Sequence, residues 1–193
     1  MRVPEITGEG IRRELLAIIK MVAYIKKDVV LSSGQKSDFY IDCKQVSLRG
    51  DGAHAIGHLF FEVMKKREQD VGDTFDACGG MALGALPISM TLTQHAFSQG
   101  RALPSVCIRK QEKFHGTCAT IEGRQNVAAN AKIVVVEDVV TTGNATINAA
   151  IALREAGFVV DFAIAIVDRQ GGGEDNLRKC GIELCSLFNL SDF

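Results

Sequence analysis

The alternation of apolar and polar positions divides the chain into stretches of two different periods. Residues 9–27 carry apolar side chains at helical spacing with no breaker and predict an N-terminal helix. VVLSSGQKSDFYIDC then predicts a short strand, a Ser/Gly turn and a second strand. Residues 52–67 return to helical spacing, with Ala53, Ile56, Leu59, Phe60 and Val63 on one face. TFDACGG is a short apolar strand running into glycines, residues 82–99 are helical with Pro87 in the first turn or marking a late start, and LPSVCIRK is a strand ending in charge. Gln111 to Thr120 shows no period and predicts a loop. Lys132 to Val136, KIVVV, is the strongest strand, β-branched and patterned for burial on both faces. Residues 141–157 give a loop and a helix with Gly157 just past its end, residues 159–169 a buried strand, 172–181 a helix and 182–188 a last strand. Strand and helix alternate, which predicts an α/β fold with a largely parallel sheet flanked by helices. The chain reads as a single domain over 1–193, with 1–45 contributing a small N-terminal helix/strand flap.

Composition narrows the function. With 22 Lys+Arg against 23 Asp+Glu, a net charge of -1 argues against nucleic acid or a membrane surface as partner, so any anion site must be local. No apolar run reaches the roughly 18–20 residues that span a bilayer, and the first residues lack the apolar stretch of a secretory leader. The six cysteines form no C-x-x-C pair, and several sit within apolar runs. They read as reduced core residues, and the expected location is cytoplasmic.

In an open parallel sheet, ligands bind beyond the carboxyl ends of the strands. After KIVVV come Glu137-Asp138, two apolar residues, and Thr141-Thr142-Gly143-Asn144-Ala145-Thr146 opening a helix. Backbone N–H groups, hydroxyls and the positive end of a helix dipole converge there, which is what a phosphate cradle requires. The competing reading makes Thr141 or Thr142 a plain N-cap and the acids a solvated strand end. The combination favours function, because adjacent acids repel unless a cationic or hydroxyl-rich ligand sits beside them. Other phosphate motifs are absent: Gly79 and Gly84 have P-loop spacing but are followed by Ala85-Leu86, and no G-x-G-x-x-G occurs; the metal-ligand pattern H-E-x-x-H is absent too.

VVVEDVVTTG resembles the phosphoribosyl-diphosphate (PRPP) signature of the type I phosphoribosyltransferase family, and within it the orotate phosphoribosyltransferase branch. Three further collinear segments carry that likeness: LSSGQKSDFYIDC, IRKQEKFHG with IEG at 121–123, and VDRQGGGEDNL. GGMALGALP resembles the family's diphosphate loop, with Gly79, Gly80 and Met81 in it. The resemblance implies a glycosyltransferase that uses Mg2+, PRPP and orotate in pyrimidine biosynthesis, giving orotidine 5′-monophosphate and diphosphate. Two alternatives stay open at this point: transfer to another base, and a non-catalytic PRPP-sensing regulator.

The same resemblance implies roles. Glu137 and Asp138 would hold the ribose hydroxyls, and Thr141, Thr142, Gly143, Asn144, Ala145 and Thr146 the 5′-phosphate. Arg109, Lys110, Lys113 and His115 match a mobile loop that closes over the diphosphate. Loop 109–120 would reach the neighbouring subunit's site in a homodimer, with Lys113, His115 and Asp138 catalytic. Arg169 would pair the carboxylate of orotate, with a structural salt bridge to Asp168 or Asp161 as the rival. Lys36, Phe39, Tyr40 and Thr141 would contact the base, a plain hydrophobic strand pair being the rival for the two aromatics. No residue is a direct metal ligand in this reading, because Mg2+ is held through PRPP. The chain departs from the family's pattern at Ser32 and Leu83, where some members carry lysine, at Asn144-Ala145, where αL geometry at Asn would preserve the turn, and at Gly171 in place of Glu.

Overall fold

The structure is a computed structural model that describes residues 8–30, 36–109 and 120–193, with the side chains of 27–30 and 36–38 outside the description. Helix α1 (Glu9–Val22) is followed by an antiparallel hairpin of β1 (Tyr24–Val30) and β2 (Lys36–Ile41). The predicted first helix is therefore too long, because the segment after Ala23 pairs as a strand with β2. A short α2 (Lys44–Ser47) and the long α3 (Gly50–Val71) lead into alternating β3 (Ala77–Met81), α4 (Ala85–Ser98) and β4 (Ser105–Ile108). Then come β5 (Ile121–Glu122), β6 (Ile133–Val140), α5 (Asn144–Glu155), β7 (Phe162–Asp168), α6 (Gly173–Lys179) and β8 (Glu183–Asn189).

The main sheet has six strands in the order β5-β4-β3-β6-β7-β8, all parallel except the β4–β5 edge pair. The predicted α/β class and largely parallel sheet are what the structure has. β6 lies at the centre, and its unbroken apolar run is buried because helices cover both faces. Val134 and Val136 point to the layer of α1, α3 and α4, where Leu15, Ile19, Leu59, Phe60, Ile88 and Leu92 are fully buried. Ile133 and Val135 point to the opposite layer, where Ala149, Ala150 and Leu153 of α5 and Leu177 of α6 pack. Among the described residues, no helix is long and apolar enough to cross a membrane.

Two boundary corrections bear on the site. Gly79 and Gly80 were expected in a loop but are buried strand residues of β3, paired with β4 on one side and, for Gly79, with β6 on the other. A Cβ on Gly79 would lie 2.4 Å from the carbonyl oxygen of Val106, and one on Gly80 2.3 Å from that of Val136. Only the absence of side chains lets the three strands meet there. β6 also continues through Glu137 and Asp138, with Glu137 opposite Ala165 of β7, so the acids sit within the strand and not beyond it.

Candidate active site at the carboxyl ends of the strands

Alternation along β6 separates the two acids. Glu137 faces α5, where the Thr146 hydroxyl approaches its Oε2 at 3.5 Å, and it is 5% exposed. Burial, then the neighbouring Asp138 charge, pushes its carboxyl well above the ordinary glutamate range. Asp138 faces the other layer, where its Oδ1 accepts the Val139 N–H at 2.8 Å and its Oδ2 lies 3.6 Å from Lys44 Nζ. Its carboxyl also presses on Gly84, the residue before α4: a Cβ there would be 2.7 Å from Asp138 Cγ. Lys44 opens α2 and pairs with Asp42 at 2.9 Å. Burial would lower the Lys44 ammonium, but Asp42 and Asp138 outweigh it and hold its pKa above the usual lysine value.

Beyond β6, Thr141, Thr142 and Gly143 turn into α5 and, with Met81, Ala82, Ala145 and Asn148, line a cavity of about 370 Å³. The residue at the helix cap is Gly143, with φ +80, a left-handed conformation that costs a glycine nothing. Neither threonine is the cap, and no side chain caps α5. Asn144 is not in the αL conformation expected of it: it is the first helical residue and is exposed, because Gly143 makes the turn. Thr146 is 1% exposed, its hydroxyl directed at Glu137. The start of α6 packs directly on this turn. Asn176 Nδ2 donates to the Thr142 carbonyl at 3.0 Å, and a Cβ on Gly171 would be 2.9 Å from the Thr141 carbonyl oxygen. Gly171, the departure noted above, thus permits a contact that a larger residue would prop open.

Arg169 follows β7 and is 7% exposed. Its N–H donates to the Val140 carbonyl at 2.8 Å, its Nη2 donates to the Phe39 carbonyl at 3.3 Å, and its guanidinium lies 4.4 Å from the Phe39 ring centroid. Asp161 precedes β7, at the end opposite Arg169, and pairs with Lys132 at 2.9 Å, so Asp161 is not the partner of Arg169. Asp168 Oδ1 accepts the Gln170 N–H, and burial raises its pKa. Phe39 stacks on Tyr24 at 5.5 Å, whereas Tyr40 is 39% exposed on the other side of β2. Successive strand residues point to opposite faces, so the two aromatics cannot stack together on one ligand.

The structure brings Glu137, Asp138, Thr141, Thr142, Gly143 and Arg169 together at one sheet edge, with Met81 of β3 beside them. Arg109 follows β4 and pairs with Glu122 Oε1 at 3.2 Å on an exposed edge. Lys110, Lys113 and His115, with Ser32, lie outside the described residues, as does the side chain of Lys36. Lys44, Gly84 and Asn176 were missed by sequence reasoning. An acid-x-Lys pair before a short helix is unremarkable until the fold sets it against Asp138.

Known proteins resemble the chain over nearly its whole length. The chain is 42% identical to the orotate phosphoribosyltransferase of Nostoc sp. over 94% of its own length and 84% of that protein. It is 41% identical to that of Thermosynechococcus vestitus, over 94% and 92%. Among solved structures it resembles a phosphoribosyltransferase from Corynebacterium diphtheriae, with TM-score 0.76, 30% identity and coverage of 95% and 98%. The orotate phosphoribosyltransferase of Mycobacterium tuberculosis, in complex with Fe(III) dicitrate, is similar at TM-score 0.76 and 29% identity over 94% and 98%. No protein-family model matches the chain.

Proposed function

The chain belongs to the orotate phosphoribosyltransferase family, and from that premise we propose how its residues divide the work of the reaction. The activity is transfer of the phosphoribosyl group from PRPP to orotate: the C1–O bond to diphosphate breaks, and a C–N bond to the base forms. The family relation sets aside the readings of another base or of a non-catalytic PRPP sensor. Little covalent chemistry falls to the protein, which must position two substrates and offset charge as the leaving group departs.

The observation that carries the assignment is one continuous edge: an acidic pair on the central strand, a hydroxyl and glycine turn, and a buried arginine whose backbone N–H is bonded to the same strand. Thr141, Thr142, Gly143, Asn144 and Ala145 cradle the 5′-phosphate at the N-terminus of α5. Thr146 contributes through Glu137. Glu137 and Asp138 hold the ribose hydroxyls, and Asp138 faces the cationic character that develops at C1. Arg169 takes the orotate carboxylate as a bidentate partner, with Phe39 beneath its guanidinium, while Tyr40 lies on the opposite face of β2. Met81, below the Ala82–Gly84 turn, borders the diphosphate. Arg109, Lys110, Lys113 and His115 act as the closing loop, with Lys113 and His115 offsetting charge on the leaving group.

In this reading Mg2+ would be held through the diphosphate of PRPP, with no side chain of the chain as its direct ligand. When bound it supplies positive charge to the leaving group. The active form in this reading is a homodimer in which loop 109–120 reaches the neighbouring site. Leu86, Met90 and Phe97 support it by forming an exposed apolar stripe on one face of α4. Residues 1–45 serve as a flap on the single domain, and the five described cysteines, all free, suit the reducing cytoplasm.

Loss of orotate absorbance with PRPP and Mg2+ tests the activity, and folded protein that consumes no orotate overturns it. Arg169→Ala should raise the KM for orotate by about 30-fold or more, the scale of a lost charged hydrogen-bond pair at ~2 kcal/mol, while PRPP binding persists. Equal orotate KM in the variant would remove Arg169 from base recognition.

A further inference from the structure

The turn expected to border the leaving diphosphate, Met81–Gly84, carries no basic side chain, and Leu83 within it is 66% exposed. A cation nevertheless stands beside it. The Asp138 carboxyl touches both Gly84 and Lys44: the Gly84 Cβ position is 2.8 Å from Asp138 Oδ2, and Lys44 Nζ is 3.6 Å from the same oxygen. One carboxylate therefore bridges the turn and the ammonium. Lys44 comes from α2, outside the sheet, on a side chain that is 36% exposed. Its contact with Asp42 at 2.9 Å is a charged hydrogen bond, but its separation from Asp138 is longer than one. A three-donor ammonium on a four-carbon stem so placed has donor capacity left for a further anion.

We propose that Lys44 is a diphosphate-binding residue, paired with Asp42 and Asp138 in the free enzyme and bonded to the diphosphate of PRPP in the loaded one. The inference rests on the phosphoribosyltransferase reading of the site. It gives the Met81–Gly84 turn the positive charge that its own sequence lacks. It also ties the segment following the β1–β2 hairpin to the reaction, because only Asp42 and Cys43 separate β2 from α2.

The test uses full-length wild type, Lys44→Met and Lys44→Arg, with thermal melts to establish folding. Binding of magnesium diphosphate, of PRPP and of orotidine 5′-monophosphate is measured by calorimetry alongside turnover of orotate. Lys44→Met should weaken diphosphate and PRPP by about 10-fold to 100-fold, the scale for one hydrogen bond to a charged group. Orotidine 5′-monophosphate, which has no diphosphate, should bind within about twofold of wild type, and Lys44→Arg should recover most of the loss. Equal weakening of all three ligands in Lys44→Met would make Lys44 a support for Asp138 only and overturn the proposal. Unchanged diphosphate affinity would overturn it as well. Wild-type protein that turns over orotate while Lys44→Met binds diphosphate normally rejects Lys44 alone; wild type inert toward PRPP and orotate rejects the reading beneath it.

Discussion

Gly84→Ala separates the geometry of the acidic pair from the stability of the fold. A Cβ at this position would stand 2.7, 2.8 and 2.9 Å from Cγ, Oδ2 and Oδ1 of Asp138, where ordinary contact begins at 3.4 Å. The overlap of about 0.5–0.7 Å falls on the end of a side chain, so Asp138 rotates and the backbone stays. Rotation removes the 2.8 Å bond from the Val139 N–H and opens the Lys44 pair. The displaced carboxylate is partly solvated, so the stability cost is about 1 kcal/mol, or roughly 2–4 °C in Tm for a domain of this size. Activity should suffer far more. Misplacing a positioning group by about 1 Å costs on the order of 100-fold, so kcat/KM for PRPP should fall by about two decades, equivalent to ~2.7 kcal/mol of barrier. Gly80→Ala is the contrast: its Cβ would meet the Val136 carbonyl at 2.3 Å, in a central strand that cannot yield, and the protein should fail to fold stably. The assay pairs initial rates of orotate consumption with calorimetric melting of each variant. Wild-type kcat/KM in Gly84→Ala, or a large loss of Tm with full activity per folded molecule, would refute this account of Asp138.

Two further outcomes follow from the same contacts. Glu137 has a folded-state pKa raised by burial and by Asp138, so the folded protein holds its proton to higher pH than the unfolded chain does, and wild type loses stability as pH rises from about 4.3 through the raised value. Glu137→Gln, which cannot ionise, should show a flatter dependence of Tm on pH across that window, and parallel curves for the two proteins would refute the burial argument. Arg101 clamps Glu68 with bonds of 2.8 and 2.7 Å, also reaches the Phe75 carbonyl, and has no place in the site. Arg101→Leu leaves Glu68, which also accepts the Phe75 N–H at 2.8 Å, without its cation, and should cost about 2–3 kcal/mol, or roughly 4–12 °C, with kcat unchanged by orotate assay.

What could be read from the sequence was periodic or local. The all-apolar run of β6 and the helical spacing of α3 and α5 are periods that burial imposes directly, and the structure follows them. The end of α1 was misplaced because Tyr24 and Ile25 suit either period, and only pairing with Tyr40 and Ile41 decides. The family resemblance of GGMALGALP places Gly79 and Gly80 in a loop. Their real cause is crowding by Val106 and Val136, strands that arrive later in the chain. Thr141-Thr142-Gly143 was legible because a helix start has a local chemistry. The partners of Lys44 and Asn176 were not, since both bonds join segments far apart in sequence.

The contacts around Arg169 argue that the base and phosphate ends of the site form one body. Its N–H is bonded to Val140, Gly171 lies against Thr141, and Asn176 holds the Thr142 carbonyl. A ligand that orders the phosphate turn therefore orders the loop carrying Arg169, with no separate hinge between them. The N-terminal hairpin joins this body differently. Phe39 meets Arg169 through its ring and carbonyl, and Lys44 meets Asp138 through charge. Tyr24 stacks between Phe39 and Phe193, which fastens the hairpin to the chain after β8 and not to the turn itself. In the proposed reading these are groups that the substrates would claim: Arg169, met by Phe39 of the hairpin, by the orotate carboxylate, and Asp138, met by Lys44 of α2, by ribose. On that reading, substrate binding would exchange the Phe39 and Lys44 contacts for ligand contacts at these side chains, which would couple the position of the hairpin and α2 to site occupancy.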